Sequence, residues 1–132
     1  SFRKRTKMYF EKLDDFLHHA RMLARHRSWL HEHELSVYMR YGPRYINGSK
    51  MTVVDVANVQ AKRKGRGLFT AFMDQLEDTN STIYVENVLN ERLCPWLERR
   101  GYVSAGELMM PSYYRLSRVA MEMADTGDLT AP

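Results

Sequence analysis

Residues 60–67 set four basic side chains, Lys62, Arg63, Lys64 and Arg66, among two glycines, Gly65 and Gly67. The β-branched run at residues 51–59 precedes this stretch. Leu68, Phe69, Phe72, Met73 and Leu76 follow it at helical spacing. The pattern therefore reads as a strand that passes through a basic glycine loop into a helix. The first N–H groups of a helix have no internal partner, and the positive end of its dipole lies there. Glycine at that point lets the backbone approach an anion with no Cβ in the way. The chemistry this suits is binding of a phosphate or diphosphate. No Gly-Lys-Ser/Thr follows, so the loop is not a P-loop, and the third glycine of a dinucleotide fingerprint is missing. A solvated basic turn is the plain alternative.

Two carboxylates are candidates for proton transfer. Glu86 lies near the end of a strand predicted over residues 82–88, and Asp55 interrupts the apolar strand at 51–59. Glu86 is the first choice for a base and Asp55 the second. The structural alternatives are that Glu86 caps the next helix or pairs with Arg92, and that Asp55 faces solvent.

The elements that must hold these groups follow from periodicity. Tyr9, Phe10, Leu13, Phe16, Leu17, Ala20, Leu23 and Ala24 mark an amphipathic helix over residues 6–26. Residues 28–34 are irregular. Leu35, Val37 and Met39 then alternate with polar neighbours as a strand, which Gly42-Pro43 is expected to end. Asn47-Gly48 signals a hairpin. The helix at 68–77 leads to the strand at 82–88. Asn90 is a candidate N-cap for a helix over 91–100 that Gly101 stops, and Pro95 is tolerable there only near its start. Residues 102–103 and 111–116 suggest a last strand pair. The fold class is α/β (α+β): one domain over residues 1–118, a mixed sheet flanked by helices, and a loose tail over 119–132.

Lys64-Gly65-Arg66-Gly67-Leu68-Phe69-Thr70 resembles the acetyl-coenzyme A loop of GNAT-fold N-acetyltransferases, whose pattern is Arg/Gln-x-x-Gly-x-Gly/Ala. Asn90, followed by Leu97-Glu98-Arg99-Arg100-Gly101-Tyr102, is similar to the family's asparagine and the helix that ends in Gly-Phe or Gly-Tyr. Residues 84–93 resemble small, often phage-encoded, members. The resemblance covers about residues 35–117. It implies that acetyl-CoA is the co-substrate and that an amine, of a protein or a small molecule, attacks its thioester directly. It maps the pantetheine-pairing strand end to Ala57, Asn58 and Val59, and the diphosphate site to Arg63, Lys64, Gly65, Arg66, Gly67 and Leu68. It brings Asn90 near the cofactor. Three positions depart from the pattern. Lys64 replaces Arg or Gln, Phe69 occupies the Gly/Ala position, and Leu97 stands where a tyrosine acid is frequent. The acid role is left unassigned: Tyr113, Tyr114 or water supplies it, or the thiolate leaves without help. Leu97 also keeps open a different class of function, a non-catalytic module of this fold that binds nucleic acid or a partner protein.

The chain has 132 residues, 44% hydrophobic and 27% charged, which suits one globular domain. Its single cysteine, Cys94, cannot form an internal disulfide and reads as a core residue. No apolar run approaches the ~18 residues of a membrane span. No signal-peptide pattern opens the chain, and a cytoplasmic location is expected, in the host if phage-encoded. The net charge of +4 is uneven: residues 1–50 hold eleven Lys/Arg against five Asp/Glu. That half suits an anionic partner such as nucleic acid, or an acidic protein surface. His31 and His33, and His19 and His26, lack a third ligand at metal-binding spacing, so no metal is expected. Tyr113 and Tyr114 on a terminal strand offer a dimer contact.

Overall fold

The computed structural model describes residues 8–63, 67–88, 90, 92–106 and 111–125. Along the chain run α1 (Glu11–Leu23), β1 (His26–Glu32), β2 (Leu35–Ile46), β3 (Ser49–Ala61), α2 (Leu68–Glu77), β4 (Ile83–Val85), α3 (Leu93–Arg99), β5 (Val103–Ser104), β6 (Tyr113–Arg115) and α4 (Arg118–Asp125). Among the described residues the strands form one sheet in the order β1-β2-β3-β4-β6-β5. Only β3 and β4 pair in parallel, and α2 is their crossover. The architecture is mixed α+β, in line with the fold class expected from the sequence. None of the described helices is long and apolar enough to cross a membrane.

Alternation sorts the strands into two faces. Leu35, Val37, Met39, Val54, Val56, Ile83, Val85 and Tyr113 enter the main core. Leu13, Phe16, Leu17 and Ala20 of α1, Leu68, Phe72, Met73 and Leu76 of α2, and Leu97 of α3 meet them there. The opposite face, called here the open face, carries the smaller cluster of Ile46, Val53, Tyr84 and Tyr114. Phe72 is 1% exposed and packs edge-on to Phe10 with ring centroids 5.2 Å apart. Arg100, at the end of α3, binds Asp74 and Glu77 of α2 and lies 4.6 Å over the Trp96 ring, which fixes α3 against α2. Cys94 is half-buried against the main core.

Several expectations need correction. The irregular stretch before Leu35 is a strand, β1, that pairs along its length with β2. Its burial alternates, but three of the four inward positions are the polar His26, Ser28 and Glu32, so the sequence shows no apolar alternation. Its turn, His33-Glu34, has φ of 56° and 67°, a left-handed pair of the kind that closes a two-residue hairpin. Gly42-Pro43 does not end β2. Because β1 starts opposite Tyr41, β2 is an edge strand beyond that point and tolerates a residue with no N–H. The strand expected at 82–88 stops at Val85, since Asn87 turns left-handed at φ 51°. The helix after Asn90 begins at Leu93. Residues 119–125, expected to be loose, belong to α4, which starts at Arg118. The Ser117 side chain accepts from the Ala120 amide at 3.1 Å, and Asn80 accepts from the Arg118 amide at 2.9 Å. The rest of the expected tail, and residues 1–7 of the basic first half, lie outside the described residues. Tyr113 and Tyr114 are buried on an interior strand, so they pack within the sheet and offer no dimer contact. The helix at 68–77 and the Asn47-Gly48 hairpin stand where the sequence puts them.

Phe72→Ala is expected to lower the unfolding free energy by about 3–5 kcal/mol. Urea titration measures it, and a loss below ~1 kcal/mol would mean that the Phe10–Phe72 contact is not central to the core.

Candidate functional site

Asp55 and Glu86, the two carboxylates singled out by sequence, meet on the open face. Ladder pairing puts Asp55 of β3 between Arg40 of β2 and Tyr84 of β4. Glu86 follows β4 directly, and its amide donates to the Val56 carbonyl at 3.0 Å. Arg40 and Arg44 are four residues apart on β2 and so share this face. Arg44 Nη2 lies 3.1 Å from both Asp55 Oδ2 and Glu86 Oε2. Arg40 Nη2 contacts Glu86 Oε2 and stands 3.5 Å from Asp55 Oδ2. The Arg44 guanidinium also covers the Tyr84 ring at 3.9 Å.

The two acids are pushed apart. Burial, then hydrogen bonding to Glu86 and the Glu86 charge, raises Asp55 from 3.8 to about 8, against the opposing pull of Arg44. Burial acts on Glu86 in the same sense. It is outweighed by hydrogen bonds from Asp55 and Arg40 and by both guanidinium charges, so Glu86 is lowered. The hydrogen bond to Glu86 also raises Arg40 against the effect of its own burial. At neutral pH the pair therefore shares one proton, carried by Asp55 and donated towards Glu86. Neither plain alternative for these residues holds: Asp55 is 4% exposed, and Glu86 pairs with Arg40 and Arg44. Asp55 Oδ1 is buried with no hydrogen-bond partner among the described residues. An atom so placed costs about 1–3 kcal/mol unless a water or a ligand meets it.

Asp55 lines a cleft of about 610 Å³ together with Arg25, His26, Arg27, Arg40 and Arg44. With Asp55 neutral, four guanidinium groups line it, and only two of them, Arg40 and Arg44, reach the ionised Glu86 among the described residues. The cleft is therefore cationic.

The chain was compared with protein-family models, with characterised proteins and with solved structures. Nothing matches. The site rests on its own geometry.

Lys64, Gly65 and Arg66 of the glycine loop lie outside the described residues. Around them, β3 carries an extra residue at Ala57, because Tyr38 pairs with Asn58 while Met39 pairs with Val56. Past Val56, β3 pairs with β2 alone among the described residues, and its other edge from Ala57 to Ala61 meets no strand. Asn58, Val59 and Arg63 are exposed, and Arg63 Nε stands 3.7 Å from a Glu34 oxygen. Gly67 turns left-handed at φ 71° into α2. Leu68 begins that helix, packed into the core. Among the described residues no side chain caps α2, and no acidic residue lies in its first turn. Asn90 Oδ1 accepts from the Arg92 amide at 3.0 Å, which makes it part of the turn before α3.

The acid candidates are occupied. Tyr113 donates to Glu98 at 3.2 Å, and hydrogen bonding with Cys94, then burial and Glu98, pushes it up to about 12. The Tyr114 hydroxyl accepts from Asn47 at 2.9 Å. Leu97 is fully buried in the core. Of the histidines weighed as ligands, His31 Nδ1 lies 2.7 Å from Ser36 Oγ, and His33 Nε2 lies 2.7 Å from the Tyr9 carbonyl. Sequence reasoning missed Arg40 and Arg44. Their shared parity on β2 is visible in the sequence, but their partners depend on a cross-strand register that includes the extra residue at Ala57.

The raised Asp55 fixes a sign for stability against pH. From pH ~4 to 8 the folded state holds a proton that the unfolded chain has released. This contribution is complete below the ordinary value of 3.8 and fades as pH rises through about 8. Asp55→Asn is expected to flatten the fall in urea-unfolding stability between pH 5 and 8. The lowered Glu86 acts below that window, so an unchanged slope would contradict the shared proton.

Proposed function

We propose that this chain is an acetyl-CoA-dependent N-acetyltransferase, acting on an amine of a protein or a small molecule. The observation that carries the reading is Asp55. It is a buried acid that titrates near 8, its Oδ1 is unpartnered, and it stands two residues before β3 parts from β4. Past that point the free main-chain groups of Ala57, Asn58 and Val59 suit pairing with an extended, amide-bearing arm such as pantetheine. The strand then leads through the basic glycine loop to an uncapped helix start at Gly67 and Leu68, which suits the diphosphate. Arg63 adds charge beside it, and Asn90 follows the end of β4.

Chemically, ionised Asp55 takes a proton from the acceptor ammonium. The freed nitrogen forms a bond to the thioester carbonyl carbon and the carbon–sulfur bond breaks, with coenzyme A leaving as thiolate; the second proton, lost by the nitrogen as it becomes an amide, passes to that sulfur and gives the free thiol. In this scheme the base is Asp55. Glu86, held ionised by Arg40 and Arg44, is a positioning residue that keeps the Asp55 value high. An acid near 8 is matched to proton transfer at neutral to mildly alkaline pH.

The test pairs thermal shift with thiol release. Acetyl-CoA is expected to raise the melting temperature, and an amine panel to release free coenzyme A. Asp55→Asn should keep the thermal shift and lower kcat by about 10²–10⁴. Glu86→Gln removes a negative neighbour and should move the alkaline-rising limb of the pH–rate profile to lower pH. No thermal shift would end the reading, and stabilisation without turnover would favour the non-catalytic module.

A further inference from the structure

We propose that the open face of the β1–β2 hairpin binds single-stranded nucleic acid, with bases stacked on Trp29 and Tyr38 and phosphates held by Arg25 and Arg27.

Two independent features converge on that face. The first is a row of rings. Trp29 and Tyr38 are cross-strand partners with centroids 5.3 Å apart. His31, two residues along β1, stacks on Trp29 at 5.8 Å with the planes only 4° apart. Trp29 nevertheless keeps 40% of its surface exposed, and His31 is exposed as well. A ring of that size would ordinarily be buried in a core. On a strand with one neighbour it stands out in water.

The second feature is charge. Arg27 faces Arg40 directly across the ladder. Like charges in that position destabilise a sheet. Arg40 is offset by Glu86, whereas Arg25 and Arg27 have no carboxylate partner among the described residues. The other acids nearby are committed. Glu32 accepts from the Glu11 and Lys12 amides, Glu34 lies beside Arg63, and Asp55 shares its proton with Glu86. The basic cleft thus adjoins the aromatic row along one strand pair.

Same-face side chains along a strand stand about 7 Å apart, so Arg27, Trp29 and His31 form a linear track. Exposed rings on a sheet stack unpaired bases, two or three per face, while cations follow the backbone. Paired bases hide their faces, which favours a single strand over a duplex. An acidic peptide would satisfy the arginines and leave the rings unused.

The test is fluorescence anisotropy of labelled 15-mers of dT and U with the whole chain, from 50 to 200 mM salt, in the absence of acetyl-CoA. Single strands should bind, more weakly as salt rises. Trp29→Ala and Arg27→Glu should each weaken binding about tenfold, with melting temperature retained, and Trp29→Phe should restore most of it. Four results would overturn the proposal: no binding at 50 mM salt, equal binding of the matching duplex, equal competition by poly-glutamate, or wild-type affinity in Trp29→Ala. None of them bears on the transferase reading, whose readouts require acetyl-CoA.

Discussion

A single proton shared between a buried carboxylate, Asp55, and a half-buried one, Glu86, holds the open face together. Asp55 and Glu86 reach the same pair of guanidinium groups, and with Asp55 almost fully enclosed the two cannot both be charged. The result is lateral cross-linking. Arg40 and Arg44 extend from β2, Asp55 sits on β3, and Glu86 closes β4. The parallel ladder between β3 and β4 is only three residue pairs long. It is reinforced by the ion network on one face and by the apolar packing of Val54, Val56, Ile83 and Val85 on the other.

The extra residue at Ala57 makes that network compatible with the core. Val37 pairs with Val59, and Met39 pairs with Val56. Two steps on β2 therefore match three on β3. Without the bulge, a slip of one would turn Asp55 towards the helices and Val56 away from them. The same irregularity lies where β3 loses its second neighbour, so one local distortion both aims the acid and begins the free edge.

The sequence made some parts legible and hid others for physical reasons. The helix Leu68–Glu77 was readable because a helix buried along one side shows its period plainly. Asn47-Gly48 was readable because few residues accept positive φ. Strand β1 was hidden, since its inward positions other than Leu30 are polar and leave no apolar alternation to detect. Its turn was hidden too, because His33 and Glu34 are unusual in left-handed geometry. Asp55 and Glu86 were visible as carboxylates in apolar strands. Their mutual contact, the arginines that hold them and the ordering of their acidities all depend on register, which no local pattern encodes. Leu97 could be read as a departure from a motif, and its place in the core gives that departure a packing reason.

The His33-Glu34 turn is a mechanical junction. His33 reaches back to the Tyr9 carbonyl and packs edge-on to Phe10 at 5.1 Å, while the adjacent Glu32 grips the leading amides of α1. On the other side the Glu34 carbonyl accepts from Lys62 at 3.0 Å, and its carboxylate faces Arg63. The segment leaving β3 and the front of α1 are thus tethered to opposite sides of a two-residue hinge. The chain just past Ala61 and the front of α1, which share no strand pairing, are therefore anchored on the same two residues.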